Sequence, residues 1–191
     1  MKISAGTPIP TGGSELVAAI QDARRGLSAV AVVADEAGNL MGPFSCLPHS
    51  PEIGDALQRV GTAIRTGSTL DRTVTEAVIL TVAQHWQADY EWYAHTAVAR
   101  MEGLLTEAEL ELIRTGQAGL AHGAADLAAA FTRELLAGRP PSRELETRLM
   151  DVLSTREAVE VVMVAGYYSA LALLIRAFET PMPGSADAGS A

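Results

Sequence analysis

Apolar residues recur every three or four positions along most of this chain, which is the spacing that places them on one face of an α-helix. The segment 51–65 shows the pattern clearly. Four of its aliphatic residues follow one another at that spacing: Ile53, Leu57, Val60 and Ile64. Its proline at the first helical position is well tolerated, because the missing N–H has no helical partner there. From this segment onward the sequence predicts one helix after another.

The ends of several helices are marked by residues that satisfy unpaired backbone groups. Three pairs have the S/T-x-x-E spacing of a capping box, in which a hydroxyl and a carboxylate bond to N–H groups of the first turn: Thr73–Glu76, Thr106–Glu109 and Ser154–Glu157. Gly103 and Gly138 follow apolar runs and predict helix ends there. The last run, 156–178, is apolar on nearly all sides, which predicts a central helix or one at a subunit interface.

The remaining segments frame this helical region. Residues 1–13, rich in proline and glycine, predict an irregular N-terminal arm, and residues 180–191 predict a mobile C-terminal tail. A short helix is expected from Ser14 to Gly26. Two short extended pieces around a turn, 29–35 and 40–44, are the only β content expected. We therefore predict a single all-α domain over residues 14–179.

Composition and charge exclude several classes of function. The chain has 191 residues and a formal net charge of -9, from 14 Lys+Arg and 23 Asp+Glu, so no basic face for nucleic acid is expected. Its single cysteine cannot form an internal disulfide or a multi-thiolate metal site. No apolar stretch is long enough to span a membrane without a charge, and no leader is evident. A cytoplasmic protein with no metal, no cofactor and no membrane contact is expected.

The candidate chemistry lies in the segment YEWYAH. Glu91 and His95 are four positions apart on one predicted helix, so their side chains share a face and can meet. A carboxylate beside an imidazole fixes its tautomer and raises its basicity, as a general base near neutral pH requires. Trp92 and Tyr93 lie between them and are expected to wall a pocket. The alternative is an ordinary pair of residues on a helix surface.

Glu76 is a third candidate, on the preceding predicted helix. A turn near residues 87–89 would fold the two helices against each other, so Glu76 could share a site with His95. The alternative is a purely structural role in the Thr73–Glu76 capping box.

These residues resemble a known family, the carboxymuconolactone decarboxylase-like proteins, which share a fold with the alkyl hydroperoxidase D-like enzymes. The resemblance is carried by LPHSPEIGDALQRVGTAIR, by TEAVILTVAQHWQADYEWYAH and by VVMVAGYYSALALLIRAF near the end of the chain. It implies an all-α bundle with a helical hairpin at its centre. It also implies a homo-oligomer, usually a trimer or hexamer.

In the peroxidase branch of this family a glutamate is followed by a C-x-x-C pair and a histidine. Laid onto this chain, those positions are Glu76, Ala88, Glu91 and His95, so both thiols are missing. Thiolate attack on peroxide or disulfide therefore has no nucleophile in the usual place. Cys46 lies upstream and has no resolving partner.

The resemblance implies acid–base chemistry on a small metabolite: decarboxylation, isomerisation or lactone chemistry. His95 would move the proton, Glu91 would orient it, and Glu76 would be a second acid or base. Tyr93 could donate a hydrogen bond to an oxyanion, and Trp92, Cys46 and Arg100 are further candidates for substrate contact. Two alternatives stay open: a non-catalytic oligomer that binds a ligand or partner, and a redox protein working through Cys46.

Overall fold

The structure is a computed structural model that describes residues 2–3, 7–23, 33–35, 37–180 and 182–183. Eight α-helices are found in these parts of the chain: α1 Gly13–Ala23, α2 Pro51–Gly67, α3 Arg72–Trp86, α4 Asp89–Met101, α5 Glu107–Arg114, α6 Gly123–Leu136, α7 Arg143–Met150 and α8 Thr155–Phe178. Two 3₁₀ turns, Gly42–Ser45 and Leu47–His49, precede α2. No strand forms among the described residues, so the predicted all-α class is confirmed.

Of the extended pieces expected near the N-terminus, the described residues show only one isolated β-bridge. Ala34 and Leu40 form an isolated antiparallel bridge, and Met41 N–H donates to the Val33 carbonyl at 2.8 Å. The prediction that 40–44 is extended is wrong beyond Met41, because Pro43 starts a 3₁₀ turn. Residues 24–32, which include most of the other piece and the expected stop at Gly26, lie outside the described part of the chain. So do residues 184–191 of the expected tail.

Helix α3 is the centre of the bundle. Every residue from Val74 to Ala83 is buried, and the helix packs against α4, α6 and α8. It ends at Gln87, whose backbone adopts the left-handed conformation with φ 53°, and α4 begins two residues later. This short connection folds α4 back onto α3. The predicted helical hairpin is therefore present, and it carries both Glu76 and His95.

Two of the three predicted capping boxes are present, and the third is wrong. Thr106–Glu109 and Ser154–Glu157 each show both reciprocal bonds. At the start of α3, by contrast, the cap is Asp71, whose side chain accepts from the Thr73 N–H at 2.7 Å. Asp71 lies two residues before Thr73, the expected cap, and its side chain accepts a hydrogen bond from the Thr73 N–H. Glu76 is consequently not needed for capping.

Helix α2 buries a different face from the one its apolar residues predict. Ile53 is 71% exposed and Val60 is 45% exposed, whereas the buried positions are Gly54, Gln58 and Gly61. Glycine occupies two of these buried positions because other parts of the same chain approach too closely there for a side chain. A Cβ at Gly61 would overlap the Tyr167 hydroxyl. Of the four apolar residues, Ile53 and Val60 face outward in the monomer, whereas Leu57 and Ile64 are partly buried against the core.

Helix α8 is long and apolar enough, by length and composition, to cross a membrane, with a mean hydropathy of 1.9. One side of it is part of the main core, through Val161, Val164 and Leu171. The other side exposes large apolar side chains: Val159, Val162, Met163 and Leu173. These exposed positions recur at helical spacing and form a stripe that we call the outer face of α8. The helix was expected to be central or at an interface, and its inner side is central.

Candidate active site

The ring of His95 is held by a carboxylate from the neighbouring helix. Nδ1 of His95, on α4, lies 2.8 Å from Oε2 of Glu76, on α3. Glu76 is buried, with its side chain 3% exposed, whereas the His95 side chain is 18% exposed. A carboxylate only accepts hydrogen bonds, so the contact favours the tautomer with the proton on Nδ1. Nε2 is then the ring nitrogen with a lone pair for a substrate.

Glu76 is positioned by more than its bond to His95. Arg72, one turn earlier on α3, places Nη2 4.0 Å from Glu76 Oε1. The same guanidinium forms a bidentate pair with Glu102, with distances of 2.7 and 3.1 Å. The pair Arg72–Glu102 therefore joins the start of α3 to the residue that follows α4. This arrangement fixes the mutual position of the two helices that carry Glu76 and His95.

Glu91 occupies an unusual environment for an acid. It is 2% exposed, and neither of its carboxyl oxygens has a hydrogen-bond partner among the described residues. Burial without a compensating cation raises the pKa of Glu91 well above its ordinary range. Burial therefore favours the neutral carboxylic acid, which can donate a hydrogen bond. The prediction that Glu91 orients His95 is wrong, since Glu76 takes that position.

Tyr168, on α8, lies against the same histidine. Its ring packs edge to face on the His95 ring with centroids 5.0 Å apart, and on Tyr167 at 5.1 Å. Burial raises the pKa of Tyr168, and the nearby Glu76, Tyr167 and Glu91 raise it further. The phenol therefore stays protonated and remains a hydrogen-bond donor at all physiological pH values.

These side chains face one cavity of about 530 Å³. Its polar wall is formed by the groups just described, and its apolar wall includes Phe44, Ile64, Ile79, Val98 and Leu171. Arg65 and Arg72 also line it. Arg65 keeps Nη2 on Thr62 at 3.2 Å, while its buried Nε has no hydrogen-bond partner among the described residues. Two arginines from outside the YEWYAH segment therefore reach the cavity wall.

Two aromatic residues predicted to wall the pocket do not line this cavity. Tyr93 is 42% exposed, and Trp92 packs against the main hydrophobic core. The reason is helical geometry: each residue turns about 100° around the axis, so positions 92 and 93 point away from the face shared by Glu91 and His95. Tyr93 is therefore not placed to donate to an oxyanion in this cavity.

Cys46 and Arg100 are also absent from the cavity wall. Burial raises the pKa of the Cys46 thiol to about 11, which disfavours the thiolate that redox chemistry needs. Arg100 is exposed and bonds to the Glu107 carboxylate, with Nη2 at 2.9 Å from Oε2. The Cys46 thiol is buried outside the cavity, and Arg100 is paired with Glu107. The structure brings together three of the seven predicted site residues: Glu76, Glu91 and His95.

Sequence reasoning missed most of the polar residues that line the cavity, among them Tyr168, Arg72 and Arg65. Tyr168 belongs to the GYY segment, which carried the family resemblance but was not given a role. Arg72 and Arg65 sit at the start of α3 and near the end of α2, outside the YEWYAH segment. Their signal was weak because each lies where a solvated arginine is ordinary. The packing of α2 and α8 against the hairpin brings them to the site.

The assembled groups are suited to proton transfer. A carboxylate-oriented imidazole offers a base at Nε2, and two neutral O–H groups lie in the same cavity. Within the described ranges, no three His, Cys, Asp or Glu side chains are grouped so as to hold a metal ion.

Comparison with known proteins supports the family resemblance and shows the fold. Residues 51–134 match the carboxymuconolactone decarboxylase family. No curated protein gives a significant match to the sequence. Among solved structures, the chain is similar to an uncharacterized peroxidase-related protein from Silicibacter sp. TM1040, at 15% identity and a TM-score of 0.69, over 100% of this chain and 94% of that one. The predicted family resemblance is confirmed.

The chain is also similar to the debrominase Bmp8. The apo structure of that protein aligns at 12% identity and a TM-score of 0.70, over 96% of this chain and 94% of that one. A Cys-to-Ala variant of Bmp8 in complex with 2,3,4-tribromopyrrole aligns at 14% identity and the same TM-score, over 97% and 95% of the two chains. Likeness at this level of identity establishes a shared helical fold.

Proposed function

We propose that this chain, whose residues 51–134 match the carboxymuconolactone decarboxylase family, is an acid–base enzyme that moves a proton on a small metabolite. The observation that carries this proposal is the 2.8 Å contact between His95 Nδ1 and Glu76 Oε2 at the wall of a cavity. A histidine oriented in this way can take a proton from substrate and return it, while Glu76 stabilises the imidazolium formed in between. Protein side chains supply every group that this step uses.

The size and the lining of the cavity favour a class of substrates and do not specify one compound. A volume of about 530 Å³ suits a small molecule, and the wall is mostly apolar with a few polar groups that converge near His95. Arg65 and Arg72 favour a substrate that carries a carboxylate. A small organic acid, lactone or enone with an acidic C–H beside a carbonyl has these properties. Isomerisation passes through the enolate formed by loss of that proton, and decarboxylation passes through an enolate formed by loss of CO2, which is then protonated on carbon.

The experiment that tests this function looks for proton transfer directly. The protein is incubated in D₂O with a panel of small 2-oxo acids, lactones and cyclic enones, and carbon-bound deuterium is followed by NMR. The wild-type chain is expected to accelerate exchange on at least one compound class. His95→Gln, whose amide can still donate to Glu76, is expected to slow that exchange by about 10² to 10⁴. Its melting temperature is expected to change by only a few degrees.

Tyr93→Phe is the matched control, since Tyr93 lies outside the cavity, and it should exchange at the wild-type rate. Equal rates for His95→Gln and wild type would contradict the proposal. Binding of panel compounds with no exchange would instead favour the alternative of a non-catalytic ligand-binding relative. Loss of activity after alkylation of Cys46 would favour the redox alternative, which its burial and raised pKa make the weakest.

We also propose that the chain acts as a homo-oligomer in the cytoplasm, with neither membrane nor nucleic-acid partners. The support is the outer face of α8, where Val159, Val162, Met163 and Leu173 are 46% to 61% exposed. Such a contiguous apolar stripe is unusual for a monomer surface. A trimer or hexamer, as the family resemblance implies, would cover it.

A further inference from the structure

The proton transfer proposed above leaves two groups of the cavity without a role. Glu91 is fully buried, and its two carboxyl oxygens lack a hydrogen-bond partner among the described residues. Tyr168 is 6% exposed and lies beside His95, with ring centroids 5.0 Å apart. Both line the cavity. A buried polar group without a partner is costly, so its persistence in a cavity wall points to a partner that a ligand supplies.

The charge state of the two groups defines what that partner is. Burial raises the pKa of both groups above the ordinary range, which favours the protonated form of each. A neutral phenol and a neutral carboxylic acid are both O–H donors. They therefore match an oxygen atom that accepts hydrogen bonds, and most strongly one that gains negative charge during a reaction.

We propose that Tyr168 and Glu91 are two neutral donors to one carbonyl oxygen of the substrate, an inference that rests on proton transfer by His95. Glu91 lies one helical turn before His95 on α4, and Tyr168 packs on the His95 ring from α8. Both donors are thus next to the proposed base. The sequence assigned the donor role to Tyr93, which lies outside the cavity. The structure assigns it to a different tyrosine and adds a second donor.

The chemical step balances with the groups present. Nε2 of His95 takes the proton from the carbon beside the substrate carbonyl, and the C–H electron pair becomes a C=C bond. The carbonyl π pair moves to the oxygen, whose negative charge accepts hydrogen bonds from Tyr168 and Glu91. The imidazolium then returns its proton to the same carbon or to a conjugated one. A protonated carboxyl paired with a tyrosine is a known way of stabilising such an enolate.

An ionised Glu91 would defeat this arrangement. A carboxylate in the same wall would repel the developing oxyanion and could not donate to it. Burial disfavours the ionised form of Glu91, because its carboxyl oxygens accept no hydrogen bond from the described residues and no cation compensates a charge there. The inference therefore accounts for the absence of compensating partners around a buried acid.

The test uses 4-nitrophenol, a small phenol whose anion mimics an enolate oxygen and absorbs visible light. Binding to the full chain is measured by calorimetry and by the absorbance of the bound anion. Wild type and Tyr93→Phe are expected to bind equally. Tyr168→Phe and Glu91→Met are expected to bind at least about tenfold more weakly, since each loses one donor. Glu91→Gln, neutral and able to donate from its amide, is expected to stay within about threefold of wild type.

Unchanged binding in Tyr168→Phe and Glu91→Met would overturn the inference, as would a wild-type chain that does not bind the probe. The deuterium-exchange assay separates this failure from that of the proposed function. If wild type exchanges deuterium and Tyr168→Phe exchanges equally fast, the donor assignment is wrong while the function stands. If the probe binds as expected and no compound exchanges, the oxyanion-binding pair stands and the proposed function is wrong.

Discussion

Glu76 Oε2 and His95 Nδ1 lie 2.8 Å apart although the two residues are 19 positions apart and belong to different helices. The contact depends on the tight connection at Gln87, which folds α4 back onto α3. It depends also on Asp71, which caps α3 and leaves the Glu76 carboxylate to the neighbouring helix. The connection and the cap thus allow the Glu76 carboxylate to reach the histidine on the neighbouring helix.

Replacing Glu76 by glutamine tests that contact. A glutamine keeps the shape of the side chain but carries no charge, so it stabilises the imidazolium less and can favour the wrong tautomer of His95. We expect Glu76→Gln to lower kcat/KM for deuterium exchange by about 10² to 10⁴. Glu107→Gln, at an exposed pair with Arg100, is the control and should keep the wild-type rate. Equal rates in the two variants would argue against an orienting role for Glu76.

Glu91 is expected to make stability depend on pH. Its pKa is raised in the folded chain, so the folded state retains a proton that the unfolded chain loses above about pH 4.5. Its contribution to stability is therefore complete below that pH and declines as pH rises toward the folded-state pKa. Glu91→Gln does not titrate, and should be more stable than wild type at pH 7 by about 1–3 kcal/mol.

Thermal unfolding at several pH values checks this prediction. The difference between Glu91→Gln and wild type should narrow as pH falls to 4.5. Glu144→Gln, at an exposed position on α7, should show no such trend. A wild-type chain that is the more stable of the two at pH 8 would mean that Glu91 is ionised and paired.

Glu160 is expected to have the opposite pH dependence. Burial alone would raise the pKa of Glu160, but bonds from Arg156, Ser68 and Thr69 outweigh it and lower the pKa to about 2. The stabilisation is therefore present above about pH 4.5 and is lost as pH falls toward 2. Because the bonds lie near solvent, Glu160→Gln should cost about 1 kcal/mol at pH 7. Denaturant unfolding at pH 7 and pH 3 should show this cost shrinking in acid.

Two glycines of α2 provide a matched pair for cavity packing. A Cβ at Gly61 would overlap the Tyr167 hydroxyl, whereas a Cβ at Gly67 meets no atom within 4 Å. Gly61→Ala is expected to destabilise the chain by about 1–3 kcal/mol, since Tyr167 must move. Gly67→Ala should be neutral or stabilising by up to about 1 kcal/mol. Chemical unfolding of both variants measures the difference in stability. Equal stabilities would show that α2 does not pack tightly against Tyr167 at Gly61.

The outer face of α8 is expected to hold subunits together. Met163 is 61% exposed in the monomer, so Met163→Glu should leave the fold intact while placing a charge in the interface. Sedimentation velocity should show a smaller species for this variant than for wild type. Ala108→Glu, at an exposed site on α5, should sediment like wild type. A wild-type monomer would refute the expected assembly.

The helices and the hairpin could be predicted because their signals are local. Apolar spacing, caps and glycines determine where helices such as α5 and α8 begin and end, and Glu91 and His95 share a face by simple periodicity. Which acid bonds to His95 could not be predicted in the same way. Glu91 lies within reach along the helix and Glu76 across the hairpin, and tertiary packing decides between them.

The cavity residues that α2 and α8 supply could not be predicted from the sequence, for a different reason. Tyr168 comes to the cavity from α8, which is distant along the chain, and Arg65 comes from α2, which directly precedes the hairpin. The buried positions of α2 include Gly54 and Gly61, and only two of its four apolar residues, Leu57 and Ile64, pack against the core. Close approach of backbones has no periodic signal in a single sequence. The residues of such a cavity wall can be identified only from the three-dimensional packing of the helices.

Ile64 on α2 and Leu171 on α8 line the cavity from outside the α3–α4 hairpin that carries Glu76 and His95. A mutant library confined to these two apolar positions would therefore reshape the cavity without touching the proposed proton-transfer pair. Under the proposed function, such a library is a starting point for the directed evolution of substrate selectivity.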